Sequence, residues 1–296
     1  MTRPVVAGVN RSPESLAAAH WAAAEALRRG LPLRLVHAWG DPSGDDTGDG
    51  PDEPRAARAD RVLRRAADRI EERYPQLHLA VEKMRRAPAP ALAAAAEDAA
   101  LLVVGSRGPG AVGGLVTGSV ALTAVAHAAA PVVLVRAGEE PEDEHLPDGA
   151  GAPSSRTGYR DVAVAVDLGG PSDDLLEFAF HAAELRRARL RVVHAWHVPL
   201  AQGLADAGQR ARVRQSAEQE LQSVLEPWRH KYPGVCVKEN LHEGRPAQVL
   251  VRAAGGAGLL VAGRRRRRAA LGPHIGPVVH ALIHHVGRPV AVVAHD

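Results

Sequence analysis

A glycine-rich stretch in the first half of the chain carries residue types that bind phosphate. It reads GSRGPGAVGGLVTGS and contains Gly105, Arg107, Gly108, Gly118 and Ser119. Glycines let backbone N–H groups approach an anion closely, and a helix start adds unpaired N–H groups and the positive end of a dipole. An arginine adds charge-assisted hydrogen bonds. The alternative is a turn that only connects two elements, but a Gly-Ser pair before a helical pattern, whose serine can cap the helix, favours phosphate binding.

Three better-known motifs do not fit this stretch. A P-loop requires a lysine before its Ser or Thr, and none is present. A G-x-G-x-x-G pattern begins at Gly108, but it follows the fourth predicted strand rather than the first, and no acidic residue lies between Asp98 and Glu139. The G-x-S-x-G pattern of a nucleophile elbow is absent. We therefore expect no catalytic residue in this loop.

The elements around the loop alternate between short β-branched runs and amphipathic helices. Strands without hydrophobic alternation, joined by helices, indicate a parallel sheet that is covered on both faces. Ligands of such doubly wound sheets bind beyond the carboxyl ends of the strands. The predicted strands are Val5–Val9, Leu33–Ala38, Leu77–Met84, Leu101–Val104 and Val132–Val135, and the predicted helices are Ser15–Arg29, Pro54–Arg73, Pro90–Ala99 and Ser119–Ala129.

The same pattern occurs twice along the chain. Leu33–Trp39 reads LRLVHAW and Leu190–Trp196 reads LRVVHAW, an offset of 157 residues, and the other matches keep this offset to within one residue. A constant offset over the whole length indicates the duplication of one domain. We assign residues 1–137 to a first domain and 159–296 to a second. The stretch 138–158 is rich in Pro, Gly, Ser and acidic residues, which is typical of a linker.

The composition excludes several classes of protein. With 46% hydrophobic and 24% charged residues, the 296-residue chain is expected to fold into globular domains. Its one cysteine, Cys236, rules out an intrachain disulfide, and its place in a predicted strand indicates a buried, inert thiol. No apolar stretch reaches the ~18 residues that a membrane span needs. We expect a cytoplasmic protein without a membrane partner.

Two further sequence features could indicate a binding site, but each has a simpler structural explanation. Arg264–Arg268 is a run of arginines, but no aromatic residue is interleaved with it, so base stacking is poorly supported and nucleic acid is an unlikely partner. We expect a solvated loop or pairing with an acidic stretch such as Asp41–Glu53; a small anionic ligand is the other alternative. His280 and His284 have metal-ligand spacing, but no Cys or carboxylate lies nearby in the sequence, so no metal site is predicted.

The spacing G-x2-G-x9-G-S after the fourth strand resembles the ATP-binding motif of the universal stress protein family. Gly105, Gly108, Gly118 and Ser119 match it at every defined position, and VVAGVN, LVHAW and VVLVR resemble the family's first, second and last strands. The resemblance covers essentially the whole chain outside the linker. The whole chain resembles a tandem universal stress protein of the type common in actinobacteria.

This resemblance implies the fold class. We expect an α/β protein with two tandem Rossmann-like, doubly wound domains, each with a five-stranded parallel sheet of strand order 3-2-1-4-5. It also implies that the last strands, Val132–Arg136 and Val290–Ala294, pair with each other and form an intrachain pseudo-dimer. A homodimer of such tandem chains is the expected assembly.

The resemblance also implies a binding site in the first domain for ATP or another adenylate, with Mg²⁺ possible beside ATP. Where nucleotide-binding members have an Asp at the end of the first strand, this chain has Asn10, which keeps an acceptor, adds a donor and removes the charge. The expected cofactor-binding residues are Val9, Asn10 and Ala38 beside base and ribose, Gly105, Arg107 and Gly108 around ribose and phosphates, and Gly118, Ser119 and Val120 at the helix start.

The second domain departs from the motif. Gly263 is kept, but Arg266 replaces the second glycine, and the final Gly-Ser becomes Gly276 followed by Pro277. Proline has neither an N–H nor a hydroxyl, so two phosphate donors are lost. Asp167 stands where the first domain has Asn10. We expect no ATP to be bound there in the usual way.

The function that follows from the resemblance is regulatory: a universal-stress-type, ATP- or adenylate-binding stress-response protein that uses its first domain. The phosphate loop holds neither a general base nor a carboxylate for Mg²⁺, so we expect at most slow ATP hydrolysis. Two alternatives stay open at this point. One is a stress-related interaction module that needs no nucleotide, and the other is a cyclic AMP binder.

Overall fold

The computed structural model describes residues 2–40, 52–107, 118–198, 207–266 and 275–296. The chain forms two compact units. Unit 1 consists of Met1–Glu142, Ala269–Ile275 and Pro289–Val292, and unit 2 consists of Asp143–Arg268, Gly276–Arg288 and Val293–Asp296.

Unit 1 is a parallel sheet with helices between its strands. The strands run in the order β3-β2-β1-β4-β5, with parallel pairing throughout. The predicted α/β class and the predicted strand order are therefore both observed in this unit. Its elements are β1 (Val5–Gly8), α1 (Pro13–Arg29), β2 (Leu33–Ala38), α2 (Asp52–Arg73), β3 (Leu79–Met84), α3 (Pro88–Ala95), β4 (Leu101–Ser106), α4 (Ser119–His127) and β5 (Val132–Arg136).

Local sequence signals account for the first helix. Ser12 precedes α1 in an extended conformation, and its hydroxyl accepts a hydrogen bond from the N–H of Ser15. Pro13 occupies the first helical turn, where its missing N–H costs nothing. Gly30 ends the helix in the left-handed conformation, with a φ of 64°, which glycine adopts without strain. These signals keep the chain between β1 and β2 short and well defined.

Helix α2 covers the sheet with one apolar face. Val62, Leu63, Ala66 and Ile70, the face expected from the sequence, are all buried. Their spacing of one, three and four residues places them on the same side of the helix, while the charged residues between them face solvent. The prediction for this helix is confirmed over the described side chains.

Unit 2 repeats the same architecture. Strands β9, β6, β7 and β8 are paired in parallel in that order, with β10 next to β9. The α/β fold repeated twice is thus present in the structure as the sequence predicts. Its elements are β6 (Asp161–Ala165), α5 (Asp173–Arg186), β7 (Leu190–Trp196), α6 (Ala207–Lys231), β8 (Val237–Glu243), α7 (Pro246–Ala254), β9 (Ala257–Arg265), α8 (Pro277–His285) and β10 (Val290–His295).

The first half of β10 belongs to unit 1. There it pairs antiparallel with β5, with Val290 opposite Leu134 and Val292 opposite Val132. The pairing of the two last strands that the resemblance implied is therefore present over these residues. It covers an edge of apolar residues that would otherwise expose unpaired backbone groups.

The stretch expected to be a linker is more structured than its composition suggests. It contains a short 3₁₀ helix, Pro141–Glu144, and His145 forms a β-bridge with Tyr159. Glu144 is buried in unit 2, where its carboxylate accepts a hydrogen bond of 3.0 Å from Arg186. The composition of the segment could not predict that one of its carboxylates is buried, because burial depends on the partner that the fold brings to the side chain.

One expectation about a side chain is wrong. Cys236 is exposed, and it lies just before β8 rather than inside a covered strand. Its neighbour Val235 is buried, so the chain alternates between a covered and an open face at this edge of the sheet.

Two features are absent from the described residues. No helix there has the length and apolarity to cross a membrane. In the same residues, no group of three or more His, Cys, Asp or Glu side chains could hold a metal ion.

Candidate functional site

The residues expected to bind a ligand in unit 1 lie at one edge of its sheet. Parallel strands all end at the same edge, so the segments after β1, β2 and β4 meet there, and α4 begins there because it runs back toward the start of β5. Val9 is buried, Ala38 is half-buried and Asn10 is exposed. The expected base-side residues, Val9, Asn10 and Ala38, therefore lie at the same edge as the end of β4, where Arg107 follows Gly105 by two residues.

A histidine joins the ends of β1 and β2. The Nδ1 atom of His37 lies 2.7 Å from the carbonyl oxygen of Val9. A carbonyl can only accept, so Nδ1 carries the proton, and in the neutral ring Nε2 is left as an acceptor. His194 repeats the arrangement in unit 2, with Nδ1 at 3.0 Å from the carbonyl oxygen of Val166. The repeated histidines thus have a positioning role at both edges.

Hydrogen bonds fix the orientation of the Asn10 side chain. Its Oδ1 accepts a 2.7 Å hydrogen bond from the N–H of Ser12, and its own backbone N–H donates to the hydroxyl of Ser15 at 3.1 Å. With Oδ1 engaged in this turn, the Nδ2 group is the part of the amide that remains to meet a ligand. The first edge therefore presents a donor after β1.

Gly105 packs against the start of α1. A Cβ atom at this position would lie 2.6 Å from the backbone carbonyl carbon of Glu14 and 2.7 Å from the backbone nitrogen of Ser15. No side chain fits there without moving the helix. Arg107, two residues on, is exposed, and none of its hydrogen bonds or ion pairs involves another described residue. Gly108, also expected at the site, lies outside the described residues.

The start of α4 differs in one detail from the expectation. Gly118 is the N-cap residue and Ser119 is the first residue of the helix, so the serine hydroxyl does not cap it. Ser119 is exposed, and Val120 beside it is half-buried. A Cβ atom on Gly118 would meet no heavy atom within 4 Å. The space beside the Gly118 Cα is therefore free of described atoms, and no side-chain cap engages the start of α4.

The corresponding edge of unit 2 has a different character. Asp167 Oδ1 accepts a hydrogen bond from the N–H of Gly169 at 3.1 Å, and its Oδ2 accepts one from Arg265 at 2.8 Å. Arg265 is the counterpart of Arg107, so the guanidinium of unit 2 is held by a carboxylate. A carboxylate offers acceptors only.

The arginine run is placed partly on a strand. Arg264 and Arg265 end β9, and Arg266 lies 3.4 Å from a carboxylate oxygen of Asp174 and 3.7 Å from one of Asp296. Arg265 and Arg266 thus pair with carboxylates of unit 2. The expected solvated loop is thus absent at its first two positions, and Arg267 and Arg268 lie outside the described residues.

Unit 2 contains a cavity of about 280 Å³ at this edge. Nothing in the sequence predicts this cavity, because the glycine motif is degenerate there. A signal was available, however, since Val166 and Ala195 repeat Val9 and Ala38 of unit 1. The sequence also gave no role to His295, near the end of the chain, yet this residue lines the cavity and its Nε2 would lie 2.4 Å from a Cβ atom on Gly263.

Comparisons with known proteins agree with this architecture. The model of the universal stress protein family matches residues 1–136 and 158–294. The chain belongs to the universal stress protein family. A universal stress protein of Mycobacterium tuberculosis is 37% identical over 97% of this chain and 96% of the relative.

Solved structures of the family share the fold. A universal stress protein from Archaeoglobus fulgidus has a TM-score of 0.71 at 17% identity, covering 99% of this chain and 98% of that one. A universal stress protein solved in complex with cAMP is 27% identical, with a TM-score of 0.36, and matches 46% of this chain and 98% of its own. The alignment with the mycobacterial relative spans both universal stress domains of this chain.

Proposed function

We propose that unit 1 binds an adenine nucleotide, with ATP as the first candidate, and that binding serves a regulatory role in the stress response. The observation that carries the proposal is the set of donors at the carboxyl edge of the sheet. Asn10 offers Nδ2, Arg107 offers a guanidinium without a described partner, and α4 offers its uncapped start at Ser119. Phosphate groups are acceptors with negative charge, so they complement this set.

The proposed roles follow the order of the strands. Val9 and Ala38 would line the base and Asn10 would meet the ribose. Gly118, Ser119 and Val120 would meet the phosphates at the helix start, with Arg107 and Gly108 beside them. Gly105 would act through packing, because its contact with α1 fixes where the chain turns toward Arg107. The proposed domains are 1–137 and 159–296, joined by 138–158.

Rapid ATP hydrolysis is not part of this proposal. No Asp or Glu lies between Asp98 and Glu139, so the loop and the start of α4 provide no carboxylate for Mg²⁺ and no general base. If Mg²⁺ accompanies ATP, the phosphates and water would supply most of its ligands, as is common for this ion. The role we propose is binding that changes the conformation or the partner choice of the protein.

A titration of one variant pair tests the proposal. Gly118→Val should weaken ATP binding at least tenfold, because its side chain would occupy the helix start, where a Cβ atom meets no described heavy atom within 4 Å. Gly276→Val is the matched control in unit 2 and should leave ATP affinity unchanged. The measurement is calorimetry with ATP, ADP, AMP and cyclic AMP, with circular dichroism to check the fold. Unchanged ATP affinity in folded Gly118→Val protein would show that the site is elsewhere.

A second candidate function is an interaction module that works without nucleotide. The observation in its favour is Asn10, which removes the charge that nucleotide-binding relatives are expected to carry at this position. Wild-type protein that is folded but binds none of the four adenylates would favour this candidate.

A further inference from the structure

Two histidines meet on one face of helix α8 in unit 2. His280 is exposed and His284 is buried, and side chains four residues apart on a helix lie on the same face. Their Nε2 atoms are 3.2 Å apart, and their ring centroids are 4.3 Å apart. Two nitrogen atoms of the kind that most often bind metal ions in proteins therefore point at one place.

The separation of the two nitrogens fits a metal chelate. An imidazole nitrogen lies about 2.0–2.1 Å from zinc in a tetrahedral site, so two nitrogens on one zinc ion are about 3.3 Å apart. Ligands at right angles, as in tetragonal Cu²⁺ or Ni²⁺ sites, would be about 2.9 Å apart at the same bond length. The observed 3.2 Å lies between these two values. An ion could therefore be held with little movement of either ring.

The helix holds the pair in place. Val279, Leu282 and Ile283 are buried and anchor α8, and the N–H of His280 donates to the carbonyl oxygen of Gly276 at 3.0 Å. The backbone that carries both rings is thus ordered before an ion arrives, which lowers the entropic cost of binding. The exposed ring of His280 can be reached from solvent.

Unit 1 shows that the fold does not need this pair. Counted from the N-cap residue of each helix, the positions of His280 and His284 correspond to Leu122 and Ala126 of α4. Ala126 is buried as His284 is, so an apolar methyl group satisfies the packing at this position. The two histidines are therefore a feature of unit 2 that packing alone does not explain.

We propose that His280 and His284 form a binding site for Zn²⁺ or another late first-row divalent ion such as Cu²⁺ or Ni²⁺, with water in the remaining positions. Imidazole suits these ions, whereas Mg²⁺ and Ca²⁺ prefer oxygen ligands. The sequence predicts no metal site here because no third ligand lies nearby, but two nitrogens are enough for a chelate with open positions. Neither histidine lines the cavity at the carboxyl edge of unit 2, and the site does not rest on the function proposed for unit 1.

Calorimetry with Zn²⁺ tests the site. The reference protein is the full chain with Cys236→Ser, because the exposed thiol of Cys236 could also bind the ion. The reference should bind one Zn²⁺ per chain, and adding His280→Gln should weaken binding roughly tenfold or more because the chelate loses one arm. His285→Gln removes the adjacent exposed histidine and should leave the affinity unchanged. Equal Zn²⁺ affinity of the reference and the His280→Gln protein would overturn the proposal.

Electron paramagnetic resonance with one equivalent of Cu²⁺ tests direct ligation. The reference protein should show coupling to two imidazole nitrogens, and the His280→Gln protein should lose this signature. Because His280 is exposed, His280→Gln should fold, and circular dichroism checks this. Zn²⁺ should also raise the melting temperature of the reference but not of His280→Gln, since the two rings converge only in the folded helix. An unchanged copper signature in folded His280→Gln protein would show that other residues bind the ion and would overturn the proposal.

Discussion

Single side chains decide which ligand chemistry each sheet edge offers. Asn10 and Asp167 occupy equivalent places after the first strand of each unit, and both accept a hydrogen bond from the backbone two residues on. The amide then has a donor left, whereas the carboxylate has only acceptors and draws Arg265 to itself. One substitution thus changes the charge of the edge and also determines whether the neighbouring guanidinium is engaged.

Gly105 gives a prediction at this scale. Gly105→Ala should destabilise unit 1 by about 1–3 kcal/mol, because the new methyl group would collide with backbone atoms of α1 that cannot move alone. The measurement is the urea midpoint of unfolding. Gly118→Ala is the control and should have little effect, since a Cβ atom there meets nothing within 4 Å. Equal midpoints for the two variants would contradict the packing role.

At the scale of elements, the segment after β5 shows how burial changes the contribution of an ion pair to stability. Arg73 on α2 binds Glu140 and Glu142 at the surface of unit 1. Two residues further on, Glu144 and Arg186 form an ion pair with side chains only 2% and 1% exposed. Solvent screens the first group of charges, while removing one partner of the second leaves an uncompensated charge in the interior.

This difference predicts unequal effects of the same substitution. Glu144→Gln should destabilise unit 2 by about 3–5 kcal/mol, as expected when one partner of a buried ion pair is removed. Glu142→Gln should cost at most about 1 kcal/mol, as expected at the surface. Chemical denaturation followed by circular dichroism compares the two. A small effect of Glu144→Gln would mean that Arg186 finds adequate partners elsewhere.

Helix α1 carries a group that links stability to pH. Burial, followed by the nearby Arg73, holds the pKa of His20 below its ordinary value of 6.5. The unfolded chain therefore binds a proton at His20 more readily than the folded chain does. The contribution of His20 to the free energy of unfolding is complete above pH 6.5 and is lost as the pH falls from 6.5 through the folded pKa.

The expected result is a steeper loss of stability in the wild type than in a His20 variant. Between pH 7 and pH 5, the melting temperature of wild-type protein should fall more than that of His20→Gln. His285→Gln removes an exposed histidine and should behave as the wild type does. Parallel curves for all three proteins would show that His20 contributes nothing to acid sensitivity.

For the whole molecule, duplication followed by divergence has produced two equivalent edges that differ in the residues able to meet a phosphate. In unit 1 the start of α4 has no side-chain cap and Arg107 has no described partner, whereas in unit 2 Arg265 is bound to Asp167 and Pro277 begins α8, so the chain should bind one ATP rather than two. Native mass spectrometry of the full chain with excess ATP measures this number. Two bound ATP molecules would contradict the expected loss of phosphate binding in unit 2, and none would contradict the site in unit 1. Association of two chains stays a prediction.

The sequence by itself determined the family, the duplication and the α/β class, because hydrophobic periodicity, glycine spacing and internal repeats are local patterns that survive without coordinates. It also indicated Ser12 as a cap and the buried face of α2. The tertiary structure alone decided that Gly105 packs on α1, that Glu144 is buried, that Cys236 is exposed and that Asp167 holds Arg265. These are contacts between residues far apart in the chain, and burial and hydrogen bonding depend on the partner that the fold brings to each side chain.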